Sequence, residues 1–187
     1  MSNGFDTYLY QLINQKLVAG GLDTIMYYVS EKLFWLPVYL FIIGYTIKVF
    51  RKKAWWPIVC MLLCLLASDR ITSGIMKPAF ARVRPCHEAS LSPRIIEGVH
   101  CSDTGSMASS HAANHFALSV FLILLFQVKG WMRGLLLTWA SLVAYSRVYL
   151  GVHYPSDVIV GAGVGALIAF LIYQVYFKFL QSRQWES

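Results

Sequence analysis

Four stretches of this chain, residues 33–47, 54–68, 112–128 and 158–177, contain no Asp, Glu, Lys or Arg. Each reaches membrane-spanning length once its flanks are included. A fifth, residues 134–152, is interrupted only by Arg147. Because hydrocarbon cannot hydrogen-bond backbone N–H and C=O groups, apolar runs of this length cross a bilayer as helices. Composition agrees: 57% of the 187 residues are hydrophobic and 13% charged, against roughly 45–50% and 25% in soluble domains. The expected fold is all-α, a polytopic transmembrane helix bundle of about five spans whose solvent is the lipid bilayer.

Residues 1–31 read differently. They alternate apolar and polar groups at helical spacing, with a break expected at Gly20 and Gly21, which suggests an amphipathic helix lying in the membrane interface. No apolar core behind a basic start resembles a cleaved signal peptide. The chain is thus read as one membrane-embedded domain over 1–187, with its transmembrane core at 32–180 and an outer loop at 77–110.

Basic residues orient the bundle. Arg51, Lys52 and Lys53 join the first two spans, Lys129 and Arg133 bracket the next turn on that side, and Lys178 and Arg183 follow the last span. All fall on one side, which the positive-inside bias makes cytoplasmic. Part of the net charge of +7 is this signal, and no basic groove with interleaved aromatics points to nucleic acid. Trp35, Trp55, Trp56 and Trp131, near span ends, fit an interfacial belt.

The opposite face gathers the chemistry. Three segments converge there: KPAFARVRP (77–85), ASSHAANH (108–115) and SRVYLGVHYPSD (146–157). Ionisable groups at membrane depth are costly and mark functional sites. Cations and hydroxyls beside a helix N-terminus make an anion site, and phosphate is the natural anion. Two histidines make that site reactive. His153 can attack phosphorus when neutral, Asp157 can hold one of its ring N–H groups, and His111 can protonate the departing oxygen. Lys77, Arg84 and Arg147 would compensate charge on the transferring phosphoryl group. This inventory calls for no metal and no cofactor.

Those residues resemble the signature of the type 2 phosphatidic acid phosphatase superfamily, membrane lipid phosphate phosphatases with three ordered blocks: K-x6-R-P, P-S-G-H and S-R-x5-H-x3-D. Lys77, Arg84 and Pro85 match the first block; Ser146, Arg147, His153 and Asp157 match the third. The second reads Ala108, Ser109, Ser110, His111, so alanine and serine stand where the family has proline and glycine. The resemblance implies that His153 forms a phosphohistidine, Asp157 orients it, His111 is the general acid, and Lys77, Arg84, Ser109, Ser110 and Arg147 cradle the phosphate. It also implies an integral plasma-membrane enzyme with its site facing the periplasm or exterior, acting on lipid A, undecaprenyl diphosphate, phosphatidylglycerol phosphate or phosphatidic acid. A transporter or lipid-binding protein using the same anion site without chemistry is the alternative class.

The remaining polar residues have simpler readings. Cys86 and Cys101 both fall in the outer loop and would form a disulfide in an oxidising compartment, whereas Cys60 and Cys64 lie at helical spacing in an apolar run and read as packing residues. His115 could pair with His111 as a zinc ligand, but no third ligand is suitably spaced. His87, Glu88, Arg94 and His100 read as substrate-rim residues, and Asp69 with Arg70 as an ion pair or a structural tie to the site. Gly161 to Gly165 forms a small-x-x-x-small pattern that predicts close helix packing.

Overall fold

The structure, a computed structural model, describes residues 4–184, with side chains described to residue 179. Residues 1–3 and 185–187 and the Arg183 side chain, which belong to the expected domain and charge pattern, lie outside that description. Eight α-helices follow in chain order: α1 Gly4–Gln11, α2 Gly20–Ser30, α3 Leu36–Phe50, α4 Trp55–Asp69, the short α5 Lys77–Phe80, α6 Ser110–Leu125, α7 Gly130–Tyr149 and α8 Pro155–Gln184. The described residues contain no strand. A π-helical segment, Arg70–Met76, joins α4 to α5, so one helical run reaches from Trp55 to Phe80.

Among the described residues, three helical runs are long and apolar enough to cross a membrane: Lys32–Lys53, Trp55–Phe80 and Pro155–Phe179. α6 is shorter, at 16 residues, and α7 carries Arg133 and Arg147 in its 20. The third apolar stretch, expected to run to residue 128, stops as a helix at Leu125. Gln127 adopts a left-handed φ of 49°, and the backbone N–H groups of Phe126 and Val128 turn back onto Leu122 and Ile123.

α6 is the central helix, packed by α4, α7 and α8 around Leu118, Phe121, Met61, Trp139, Val143 and Ala169. Its tightest neighbour is α8. A Cβ added to Gly161 would lie 2.5 Å from the Ser109 carbonyl oxygen, and one added to Gly165 would lie 2.0 Å from that of Ala113, whereas nothing approaches Gly163 within 4 Å. The glycine pattern therefore works as read, by letting two backbones touch. Large apolar side chains such as Phe41, Leu62, Ile159 and Val175 point outward, as a lipid-facing surface requires. Phe50 and Tyr45 pack on Phe126, and Trp56 packs on Phe179. These contacts bring Arg51–Lys53, Lys129 and Lys178 to one end of the bundle, opposite the ends where Thr72, Ser110 and Asp157 meet. Trp55 and Trp131 are exposed as an interfacial belt requires, but Trp35 is not part of it: its Nε1 donates to the Val29 carbonyl at 2.8 Å and its ring packs on Trp139.

The N-terminal segment turns polar residues as well as Tyr10, Met26 and Val29 toward the bundle. Phe5, Tyr8, Leu17, Ile25 and Tyr28 face outward while Asp6, Asn14 and Ser30 are buried against the bundle. Asn14 Nδ2 donates to the carbonyls of Tyr149 at 2.8 Å and Arg94 at 2.9 Å, and its Oδ1 accepts from the Arg94 N–H. The segment breaks at Leu17 and Ala19, not at the glycine pair. Ala19 is extended at φ −143°, and Gly20 and Gly21, which meet no neighbour within 4 Å, open α2.

Gly165→Leu should drive α6 and α8 apart and destabilise the protein by at least about 1–3 kcal/mol, the usual penalty of overpacking, while Gly163→Leu should be tolerated. Thermal unfolding in detergent compares the two; equal melting temperatures would contradict the packing described.

Candidate active site

The three polar segments meet at one end of the bundle because each occupies a helix end. Lys77 opens α5 after the π-helical bend, a local widening that often accompanies functional sites. Ser110 and His111 form the first turn of α6, whose N-cap Ser109 accepts from the Ala112 N–H. Arg147 lies in the last turn of α7. Gly151, at φ 82°, then reverses the chain within a space too close to the Arg94 carbonyl for a Cβ, and delivers His153 just ahead of α8.

A cavity of about 520 Å³ opens between these segments. Lys77, Arg84, Ser110, His111, Arg147 and His153 all line it. Two residues expected at the site do not. Asp157 is fully buried behind His153. Ser109, expected among the phosphate ligands, is also fully buried, because its hydroxyl caps α6 and its N–H donates to the Asp157 carbonyl at 3.0 Å. Ser110 replaces the family's glycine with a helical backbone, so its N–H stays at the helix start, and its hydroxyl is held 2.8 Å from those of Thr72 and Ser73.

The His153 ring is fixed by its two neighbours. Arg84 Nη1 lies 3.3 Å from Nε2. A guanidinium can only donate, so Nε2 carries the lone pair and the ring proton sits on Nδ1. Nδ1 faces Asp157 Oδ2 at 3.4 Å, a charge contact longer than an aligned hydrogen bond. Burial, joined by the positive charges of Arg84 and Arg147, pulls His153 down to about 4, although Asp157 works in the opposite direction. Arg84 is held by the Thr104 carbonyl at 2.9 Å and the Val152 carbonyl at 3.1 Å. Burial lowers its affinity for a proton as well. The Arg147 guanidinium donates from Nη1 to Ser30 Oγ, and its buried Nε has no hydrogen-bond partner among the described residues.

Several polar residues resolve into structural parts. His115 accepts no ligand geometry with His111: its Nδ1 lies 2.9 Å from the His111 carbonyl and its Nε2 3.1 Å from the Tyr39 hydroxyl. His100 lines the cavity, as a rim residue would, while Arg94 instead pairs with Asp23 at 2.9 Å. Asp69 forms no ion pair with Arg70 among the described residues; it lines the cavity and accepts from Ser73 Oγ at 3.4 Å. Cys86 and Cys101 are joined by a disulfide that closes residues 86–101, between Arg84 and Thr104 in the chain. Sequence reasoning missed Ser106, Arg82 and Asp6. Ser106 donates to Asp157 Oδ2, and Arg82 bridges Asp157 and Asp6. Arg82 was visible inside the first block, but nothing in its spacing set it apart from Arg84.

The description that matches residues 53–181 is that of the PAP2 superfamily. The chain belongs to the PAP2 superfamily. It is 32% identical over 159 residues to a lipid A 4'-phosphatase of Bacteroides thetaiotaomicron, covering 83% of this chain and 70% of that one. It is 29% identical over 174 residues to an undecaprenyl-diphosphatase of Sulfolobus acidocaldarius, covering 92% and 79%. The crystal structure of a transmembrane PAP2-type phosphatidylglycerolphosphate phosphatase from Bacillus subtilis superposes with a TM-score of 0.71 at 26% identity, covering 93% of this chain and 85% of that one. The protein is therefore a membrane-type PAP2 phosphatase, and its named relatives act on lipid phosphates. The PAP2 match starts at residue 53, so Asp6 reaches the site from a segment outside it.

Because the folded His153 titrates below an exposed imidazole, the folded state holds fewer protons between about pH 6.5 and 4. Its neutral form contributes fully at pH 7, and acidification through that window should destabilise the fold. Nitrogen chemical shifts of the His153 ring in detergent should show a midpoint near 4. A midpoint at or above about 6.5 would contradict the buried, cation-flanked ring.

Proposed function

We propose that this PAP2 phosphatase removes phosphate from a lipid phosphate or diphosphate at the outer face of the membrane through a phosphohistidine. The observation that carries the reading is the His153 ring, which lines the cavity with Arg84 Nη1 3.3 Å from its Nε2 and Asp157 Oδ2 3.4 Å from its Nδ1. Nε2 attacks phosphorus, the bond to the leaving oxygen breaks, and His111 gives that oxygen a proton. The positive charge formed on His153 is compensated by Asp157. Water activated by His111 then cleaves the phosphorus–nitrogen bond, releasing phosphate and restoring both rings. Lys77, Arg84, Arg147 and the N–H and hydroxyl of Ser110 hold the phosphoryl oxygens. Ser109 contributes by capping α6. The substrate's oxygens compete with Nε2 for Arg84, freeing the lone pair as the phosphate binds.

The basic end of the bundle opposite the cavity supports a site on the periplasmic or exterior side of a plasma membrane, by the positive-inside bias. The substrate class is narrowed by Asn114, one turn deeper than His111 along α6. It lines the cavity, and its Oδ1 is buried without a hydrogen-bond partner among the described residues. A leaving group that reaches it carries polar atoms close to the scissile bond, as a sugar or diphosphate does. The Bacteroides relative puts lipid A first among candidates.

Purified protein in detergent with excess chelator should release inorganic phosphate from a panel of lipid A, undecaprenyl diphosphate, phosphatidylglycerol phosphate and phosphatidic acid. His153→Ala should lower that release by about 10³-fold or more while leaving the protein folded. Release within about tenfold of the unsubstituted protein would remove His153 as nucleophile.

A further inference from the structure

Asp157 is a fully buried carboxylate, and its partners are not those of a simple histidine–aspartate pair. Oδ2 faces His153 and accepts from Ser106 Oγ and, at 2.8 Å, from the Tyr154 N–H. Oδ1 accepts from Arg82 Nη1 at 2.7 Å. The same nitrogen donates to Ser156 Oγ at 2.7 Å, and Arg82 Nη2 donates to Asp6 Oδ2 at 2.5 Å. Asp6 in turn accepts from the Ser156 N–H at 2.9 Å and the Ser156 hydroxyl at 2.6 Å, so a carboxylate from α1 caps the first turn of α8. The Arg82 guanidinium also lies 3.9 Å above the Tyr154 ring. One planar fork thus joins the first helix, the first motif block and the third.

The geometry points to Arg82 as the positioning residue for Asp157, with Asp6 holding Arg82 in place, so that the N-terminal helix is a working part of the active site. The inference rests on the proposed role of Asp157. A buried carboxylate with only one charged neighbour would draw the His153 proton toward itself and rotate to meet it. Arg82 prevents both by fixing Oδ1 and compensating its charge, which leaves Oδ2 aimed at Nδ1. Arg82 lines a separate groove on the far side of Lys77 and Arg84, not the substrate cavity. Its loss should therefore act on turnover and not on binding. A lysine has one point charge on a flexible stem and cannot donate to Asp157 and Asp6 in two fixed directions.

The test is a double-mutant cycle on the full chain in detergent, read as phosphate release from whichever lipid of the panel is turned over. Arg82→Gln should lower kcat by about 10-fold or more with KM within about twofold. Arg82→Lys should recover part of the loss, and Asp6→Asn should show a smaller loss of the same kind. In the Asp157→Asn background, Arg82→Gln should cost less than about twofold further, because residues that act as a unit are not additive. Each variant is first checked for a single symmetric elution peak and an unchanged melting temperature. An equal loss in both backgrounds, a loss carried by KM, or full activity of Arg82→Gln beside an inactive Asp157→Asn would each overturn the inference alone. Full activity of Asp157→Asn would overturn the proposed role of Asp157 and this inference with it.

Discussion

A carboxylate removed from solvent must be surrounded by donors, and in this protein that requirement assembles the site. Leaving such a charge unpaired costs several kcal/mol. Asp157 avoids that cost by drawing on the loop at Ser106, the first block at Arg82 and its own turn at Tyr154, while its backbone carbonyl accepts from Ser109 at the start of α6. Each partner belongs to a different segment. Satisfying one side chain therefore fixes where α1, α5, α6 and α8 end, and the cavity is the space those ends enclose.

The membrane imposes the second constraint. Polar atoms at this end of the bundle have no water on the lipid side, so they turn inward and pair with one another. The N-terminal segment shows the consequence: its Asp6, Asn14 and Ser30 face the protein, while Phe5, Tyr8, Leu17, Ile25 and Tyr28 face out. The glycine contacts of α8 have the same logic, since small residues let backbones approach where no hydrophobic force separates lipid from protein. Gly161 abuts the carbonyl of Ser109, the N-cap of the helix that presents Ser110 and His111. Helix packing and site geometry are thus coupled at one residue.

Much of this was legible in the sequence. Charge-free runs gave the helical class, and the three blocks located Lys77, Arg84, His111, Arg147 and His153 before their shared cavity was seen. Gly161 and Gly165 announced their packing by spacing alone. What escaped was long-range or local in kind. Asp6 lies 150 residues from Ser156 in sequence, and no spacing rule joins them. Ser109 was expected among the phosphate ligands, and the fold instead shows its hydroxyl capping α6. The π-helical bend before Lys77 is marked only by Gly74 and by Pro78, which lacks an N–H for the Gly74 carbonyl, and Gly20 and Gly21 look like a break while opening a helix.

The central claim is that phosphorus is transferred to the Nε2 of His153. Enzyme turning over a phosphorus-labelled lipid, quenched in alkaline denaturant and digested, tests it directly. The account predicts protein-bound phosphate that is stable to base and labile to acid, located by mass spectrometry on the peptide containing His153. Label on any other residue, or release of the lipid alcohol without protein-bound phosphorus at any quench time, would contradict it.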